Sequence, residues 1–214
     1  MKTEMSSIDI LAVVGELQSL KGARINKAFQ TTPQELKLQL NVKEKGRAEL
    51  VIEAGKRFHL TEHPRPSPEV PTAFAMTLRK YLGNGVVEGI AQVAFDRVVE
   101  IKCRRDGEFS IIAELFGKGN IVLTDGEGNI LTVMRPESYR DRELAIRARY
   151  KYPPRRTDPF QLPLEEFRGV IEGSKGDLVR TLATVLGLGG PYAEELCLRA
   201  GIQKDRKGLS EAEI

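Results

Sequence analysis

Between Val93 and Asp125 the chain alternates apolar and polar residues with a period of two, broken and resumed at turns. Val93, Phe95, Val99 and Ile101 fall on one face, and Asp96, Glu100 and Lys102 on the other. Successive side chains of an extended strand point to opposite sides, so this pattern belongs to a half-buried strand and not to a helix. Arg105-Asp106-Gly107-Glu108 makes a turn, after which Phe109, Ile111, Ala113 and Leu115 resume the alternation. The corner Gly117-Lys118-Gly119-Asn120 then leads into Ile121 to Asp125. The stretch therefore reads strand, turn, strand, short glycine corner, strand. Arg97 breaks the pattern, because the alternation places it on the apolar face with Phe95, Val99 and Ile101. A charge there needs a carboxylate or phosphate partner, or a strand end from which it reaches water; the residues alone allow both.

The chain before this stretch predicts more of the same sheet. Ser6 and Asp9 have the spacing of a capping box ahead of a helix from Ser7 to Leu20, with Ile10, Val13, Val14 and Leu17 on its apolar stripe. An acid in the first helical turn also favours the helix dipole, so capping alone accounts for Asp9. Strands are predicted at Ile25–Gln30, Glu35–Val42, Ala48–Glu53 and Phe58–Thr61, an antiparallel meander with one wet face that carries Lys37 and Gln39. His59 and His63 bracket the last strand end with no third metal ligand at motif spacing, so they read as surface residues. Pro64, Pro66, Pro68 and Pro71 form a stiff connector to a helix over Thr72–Leu82, and Val86–Gln92 re-enters the sheet.

Past Asp125, a hairpin at Gly126-Glu127-Gly128-Asn129 leads into Ile130 to Met134. Between Arg135 and Arg156 there are eight Lys/Arg against three Asp/Glu. Arg135, Arg140, Arg142, Arg147 and Arg149 are interleaved there with Tyr139, Tyr150 and Tyr152. Arginines among aromatics suit phosphate contact with base stacking, and equally a solvated helix face. Helices are predicted over Leu164–Ile171, Asp177–Leu186 and Tyr192–Ala200. Gly187-Leu188-Gly189-Gly190-Pro191 joins the last two in the manner of a helix-hairpin-helix module. In that reading Gly187, Gly189 and Gly190 let amide N–H groups approach a phosphate at the second helix start, although any tight αα-turn needs similar glycines. The expected layout is α+β: a β-rich domain over 1–152, a proline-rich linker over 153–162 and a helical domain over 163–214 that the chain does not complete.

The 214 residues are 41% hydrophobic and 29% charged, enough for a real core and against disorder. Cys103 and Cys197 fit no metal spacing, which predicts free thiols, no bound metal and a reducing compartment. No apolar run approaches the ~18 residues of a membrane span, and Met1 to Ile10 lacks a signal-peptide core, so the cytosol is expected.

Ser6-Ser7-Ile8-Asp9, Phe95-Asp96-Arg97, Glu114-Leu115 before Gly119-Asn120-Ile121-Val122-Leu123-Thr124-Asp125, and the terminal glycine hairpin occur in the order of one known family. The chain resembles the N-terminal half of the NFACT proteins, which include NEMF, RqcH and proteins named for fibronectin-binding protein A. The resemblance implies a non-enzymatic factor of ribosome-associated quality control, without cofactors. Its partners would be tRNA and large ribosomal subunits carrying stalled peptidyl-tRNA, on which it promotes untemplated, alanine-type tailing. It also implies a first domain similar in fold to that of formamidopyrimidine-type DNA glycosylases, and functional roles for Asp9, Asp96 and Arg97. The family's coiled coil and RNA-binding NFACT-R domain, through which self-association is expected, lie outside these residues. This chain alone is therefore not expected to support tailing.

Glycosylase chemistry is not expected, because the chain opens Met1-Lys2-Thr3-Glu4 without an N-terminal proline nucleophile. The alternatives are a fibronectin-binding surface adhesin, which the missing export signal opposes, and a metal-dependent nucleic-acid enzyme using Asp9 and Asp96. The second lacks a third ligand at motif spacing.

Overall fold

The computed structural model describes residues 3–154 and 158–210. Helix α1 (Ser7–Leu17) runs into a 3₁₀ turn (Gln18–Leu20) and is followed by β1 (Arg24–Thr32), β2 (Glu35–Val42), β3 (Gly46–Glu53) and β4 (Arg57–Leu60). Helix α2 (Ala73–Leu82) precedes β5 (Val86–Gln92), β6 (Val98–Arg104), β7 (Glu108–Glu114), β8 (Asn120–Asp125) and β9 (Ile130–Val133). A small hairpin of β10 (Glu137–Ser138) and β11 (Glu143–Leu144) comes next, then α3 (Leu164–Gly173), α4 (Leu178–Arg180) and α5 (Gly190–Ala200). Two compact units result. One takes Met1–Met5, Ile10–Val93 and Arg97–Pro153; the other takes Ser6–Asp9, Ala94–Asp96 and Pro154–Ile214.

In the first unit nine strands make one sheet in the order β4-β3-β2-β1-β5-β6-β7-β8-β9, antiparallel at every pairing. Two meanders meet at β1 and β5 through a short ladder around Arg24 and Val86. Bulges interrupt β1 and β5 beside that seam. A bulge bends a strand and increases its twist, and here α2 packs on β1 in one half of the sheet and on β9 in the other. One apolar core therefore serves both halves. It joins Ile10, Val14 and Leu17 of α1 and Phe74, Leu78 and Leu82 of α2 to Leu36, Leu38 and Leu40 of β2 and to Ile111, Ile121 and Leu123 of β7 and β8.

The opposite face of the sheet is drier than its alternation predicts. Val98, Ile112, Val122, Ile130 and Val133 form a second apolar cluster, closed over by Leu144 and Tyr150. The segment after β9 covers it, and Ile130 N donates to Ala148 O at 2.8 Å and Tyr150 N to Gly128 O at 2.8 Å. Lys37, predicted on a wet face, is only 3% exposed. Its Nζ donates to Arg65 O at 2.9 Å and stands 5.2 Å from the Phe29 ring centroid, because the chain after β4 folds back across this side.

The second unit has its own core of Ile171, Leu178, Leu182, Leu186, Leu188, Ala193 and Cys197, joined by Phe95. Asp177 caps α4, its Oδ1 accepting from Arg180 N at 2.9 Å. The helix predicted to continue to Leu186 widens instead into a π turn over Thr181–Val185, with Leu186 N bonded to Thr181 O at 3.1 Å. Leu188 N and Gly189 N reach back to Leu182 O and Ala183 O at 3.2 and 3.1 Å, so the chain leaves the helix through still wider loops. Gly187 and Gly189 supply the left-handed backbone this exit requires.

Candidate functional site

Ser6 and Asp9 close the capping box their spacing predicts. Asp9 Oδ2 accepts from Ser6 N at 2.6 Å and from Ser6 Oγ at 2.8 Å, while Asp9 N donates to Ser6 Oγ at 3.3 Å. Capping leaves the other carboxylate oxygen available, and Tyr192 at the start of α5 donates its hydroxyl to Asp9 Oδ1 at 2.6 Å. That bond, with burial and the Asp9 charge behind it, raises the Tyr192 phenol above its ordinary pKa. Asp9 thus joins residues 183 positions apart within the second unit. Gly189 belongs to the same arrangement, because a Cβ there would stand 3.1 Å from Ser6 Cβ, closer than ordinary contact.

The alternation through Phe95 and Arg97 does not persist as a strand. Ala94 and Phe95 have φ of 49° and 51°, and Val93 N donates to Val98 O at 2.9 Å, closing a hairpin loop between β5 and β6. A left-handed backbone at two non-glycine residues is strained, and such strain collects at functional sites. The loop turns Phe95 into the helical core, edge-on to Phe160 with ring centroids 5.5 Å apart, and Asp96 is buried. Arg97 ends the loop and is counted with the sheet unit, where its carbonyl accepts from Leu115 N at 2.7 Å. Its guanidinium donates to a carboxylate, that of Glu4, at 3.2 Å. The Asp-Arg pair therefore lies on a loop and not on a strand face.

The basic segment divides into two kinds of arginine. Arg142 is 8% exposed in its side chain and makes both its bonds to Glu114, one of them 3.1 Å from Oε2. It also stands 4.7 Å from the Tyr139 ring centroid. Arg135 Nε donates to Glu137 Oε1 at 2.6 Å and its Nη2 to Gly119 O at 2.8 Å. These two guanidiniums bond within the chain, whereas the sequence reading turns all five arginines outward to phosphate. Arg140, Arg147 and Arg149 are exposed and form no ion pair among the described residues. Nor is the segment a helix: Arg149 bridges to Asn129, and Arg147 takes φ of 73° with its N–H on Ile130 O at 2.8 Å. Arg155 and Arg156 lie outside the described residues.

Of the hairpin glycines, Gly189 has its amide bonded to Ala183 O at 3.1 Å. Its role is the close approach of Ser6. Gly187 makes the φ +71° turn and Gly190 begins α5. The residues that sequence reasoning missed are Tyr192, Glu4 and Phe160, partners of Asp9, Arg97 and Phe95. None carries a local signal, since each acts only through a neighbour distant in sequence. Among the described residues no group of three or more His, Cys, Asp or Glu is placed to hold a metal ion, and no helix is long and apolar enough to cross a membrane.

Residues 6–214 match the family described as NFACT N-terminal and middle domains. The chain is 42% identical to the archaeal Rqc2 homolog aRqcH of Methanocaldococcus jannaschii, over all of this chain and 34% of that protein. It is 34% identical to human ribosome quality control complex subunit NEMF, over 92% of this chain and 19% of that protein. It thus spans about a third of the first of these relatives and a fifth of the second. Among solved structures, the N-terminal domain of fibronectin-binding protein PavA from Streptococcus pneumoniae superposes with a TM-score of 0.81 at 30% identity, covering 89% of this chain and 77% of that one.

Proposed function

This chain belongs to the NFACT family, and on that premise we propose that it is the tRNA- and large-subunit-binding part of a ribosome quality control factor that promotes alanine-type tailing of stalled nascent chains. In this reading it is cytoplasmic and performs no bond chemistry of its own. Its sheet unit is similar to the first domain of formamidopyrimidine-type DNA glycosylases, and its helical unit is a helix-hairpin-helix module. The proposed layout is a β-rich domain over 1–152 and a helical domain over 163–214 joined by 153–162, although Ser6–Asp9 and Ala94–Asp96 are counted with the helical unit.

One observation carries the proposal. Ser6–Asp9, Ala94–Asp96 and the glycine turn before Tyr192, which belong to three of the stretches on which the family resemblance rests, gather in one compact unit although they are about ninety residues apart in sequence. Asp9 is held from both sides, and the Asp96 loop is fixed by a buried Phe95. Groups held this firmly present a rigid surface to a large polyanion at little ordering cost. The test is Asp96→Ala with Arg97→Ala in the full-length protein, read by tRNA copurification with stalled large subunits beside a thermal melt. The expected outcome is lost tRNA recruitment, retained subunit binding and a stability loss of ~1–2 kcal/mol. Wild-type recruitment by a normally melting variant would overturn the assignment.

The likeness to a structure named for fibronectin binding favours a second reading, an adhesin. Surface labelling of intact cells separates the two, since an adhesin is labelled and a ribosomal factor is not.

A further inference from the structure

Both histidines of the chain line one cleft of about 200 Å³, with Glu35, Arg57, Thr61 and Arg65. The cleft forms where the chain leaves β4 and folds back over β2 and β3. Thr61 N still pairs with Glu49 O at 3.0 Å, but four residues later Arg65 O accepts from Lys37 Nζ on β2. Register places His59 opposite Val51 and Arg57 opposite Glu53, so His59 and Arg57 share this side of β4. Arg57 uses Nε on Glu53 at 3.1 Å, and Arg65 uses Nε on Glu35 at 3.2 Å. The Nη groups of both guanidiniums have no protein partner among the described residues. The two side chains are 49% and 60% exposed, so a ligand reaches those donors without opening the fold.

We propose that this cleft binds the oxyanion of a phosphate group, and that protonation of His59 strengthens the binding. Two guanidiniums anchored through Nε offer their Nη donors in the planar geometry that suits a tetrahedral oxyanion. Imidazole is the side chain whose ordinary pKa lets it add charge near neutrality. The charged groups that line the cleft are Glu35 from β2, Arg57 from β4 and Arg65 from the returning chain, and Glu53 of β3 also acts on His59. Glu49 is held by Arg47 at 2.5 Å, and Glu53 is also held by Lys56 at 2.6 Å. Burial first, and then Arg57, lower the pKa of His59 against the pull of Glu35 and Glu53, so its charge appears below the usual imidazole range. An RNA phosphodiester is the source that fits the proposed function and rests on it; free phosphate is the other.

With only two histidines, the Cε1–Hε1 region of a ¹H–¹³C spectrum of this chain contains two signals. Inorganic phosphate is added in one series at about pH 6, and a short RNA duplex in another from about pH 8 to 5.5. The RNA carries the pH comparison because its diester charge is constant there, whereas phosphate itself titrates. Both imidazole signals should move on binding, with RNA affinity rising about tenfold across the series. Arg57→Gln with Arg65→Gln should weaken binding at least fivefold, and Arg47→Gln should leave it unchanged. Should the arginine pair melt early, His59→Gln decides the matter by abolishing the pH dependence. Movement with RNA alone identifies the diester as the ligand, and movement with phosphate alone a free anion. Two signals that stay still in both series overturn the proposal. Because no ribosome is present, that failure leaves the proposed function to its own test.

Discussion

Glu114 is 1% exposed, and each of its oxygens is taken: Arg142 bonds both, and Tyr150 donates to Oε1 at 2.8 Å. Burial and the adjacent Glu114 charge raise the Tyr150 phenol above its ordinary pKa, so the hydroxyl remains a donor. The same carboxylate raises the Arg142 guanidinium, although burial acts against it. A charge this deep survives only while its partner does. Arg142→Ala is therefore expected to cost ~3–5 kcal/mol in denaturant unfolding, because it strands the Glu114 carboxylate. Glu114→Ala with Arg142→Ala together should cost less than Arg142→Ala alone, and a strictly additive double variant would refute the pairing. At this scale the sequence turns Arg142 outward to phosphate, whereas its guanidinium bonds Glu114.

The corner between β7 and β8 depends on two glycines that face each other. A Cβ on Gly119 would lie 1.8 Å from Gly55 N and 2.5 Å from Glu114 O, and Gly55 N itself donates to Glu114 O at 3.0 Å. Backbone packed against backbone has no flexible end to move aside. Gly119→Ala should therefore separate the β3–β4 turn from the β7–β8 corner and lower stability by more than ~3 kcal/mol in a thermal or denaturant melt. Gly128→Ala has open space around it and should cost only the ~1 kcal/mol of its positive φ. Equal losses at the two positions would contradict the close contact. Sequence marked both glycines as turns, and spacing alone could not distinguish them.

For the whole molecule, the basic segment offers a measurable consequence. Arg140, Arg147 and Arg149 are the cations of the predicted set left outward, so they are the ones expected to meet RNA phosphates. Replacing Arg147 and Arg149 by alanine should flatten the plot of log K for RNA against log salt by about 1.5–2 units. Replacing Arg135, whose guanidinium is bound to Glu137 and Gly119, should leave the slope nearly unchanged. A slope unaffected by the first change returns the segment to a solvated covering of β9.

Local pattern by itself determined the strands. Leu36, Leu38 and Leu40 alternate because a sheet with one buried face demands it, and β2 and β5 fall within the bounds their residues predict. The capping box and Asp177 at the start of α4 were legible for the same reason, since each bond spans three residues. Tertiary structure decided what depends on remote neighbours. Period two continued through Phe95 on paper, but the helical core offered that ring a better burial than the sheet, and the chain took a left-handed loop to reach it. Lys37 read as wet until the return of Arg65 covered it. Asp9 read as a cap, and the approach of Tyr192 from far along the chain engages its second oxygen. Pattern reports which face of an element wants burial; which surface covers that face, and which charges meet there, is fixed only when distant segments pack.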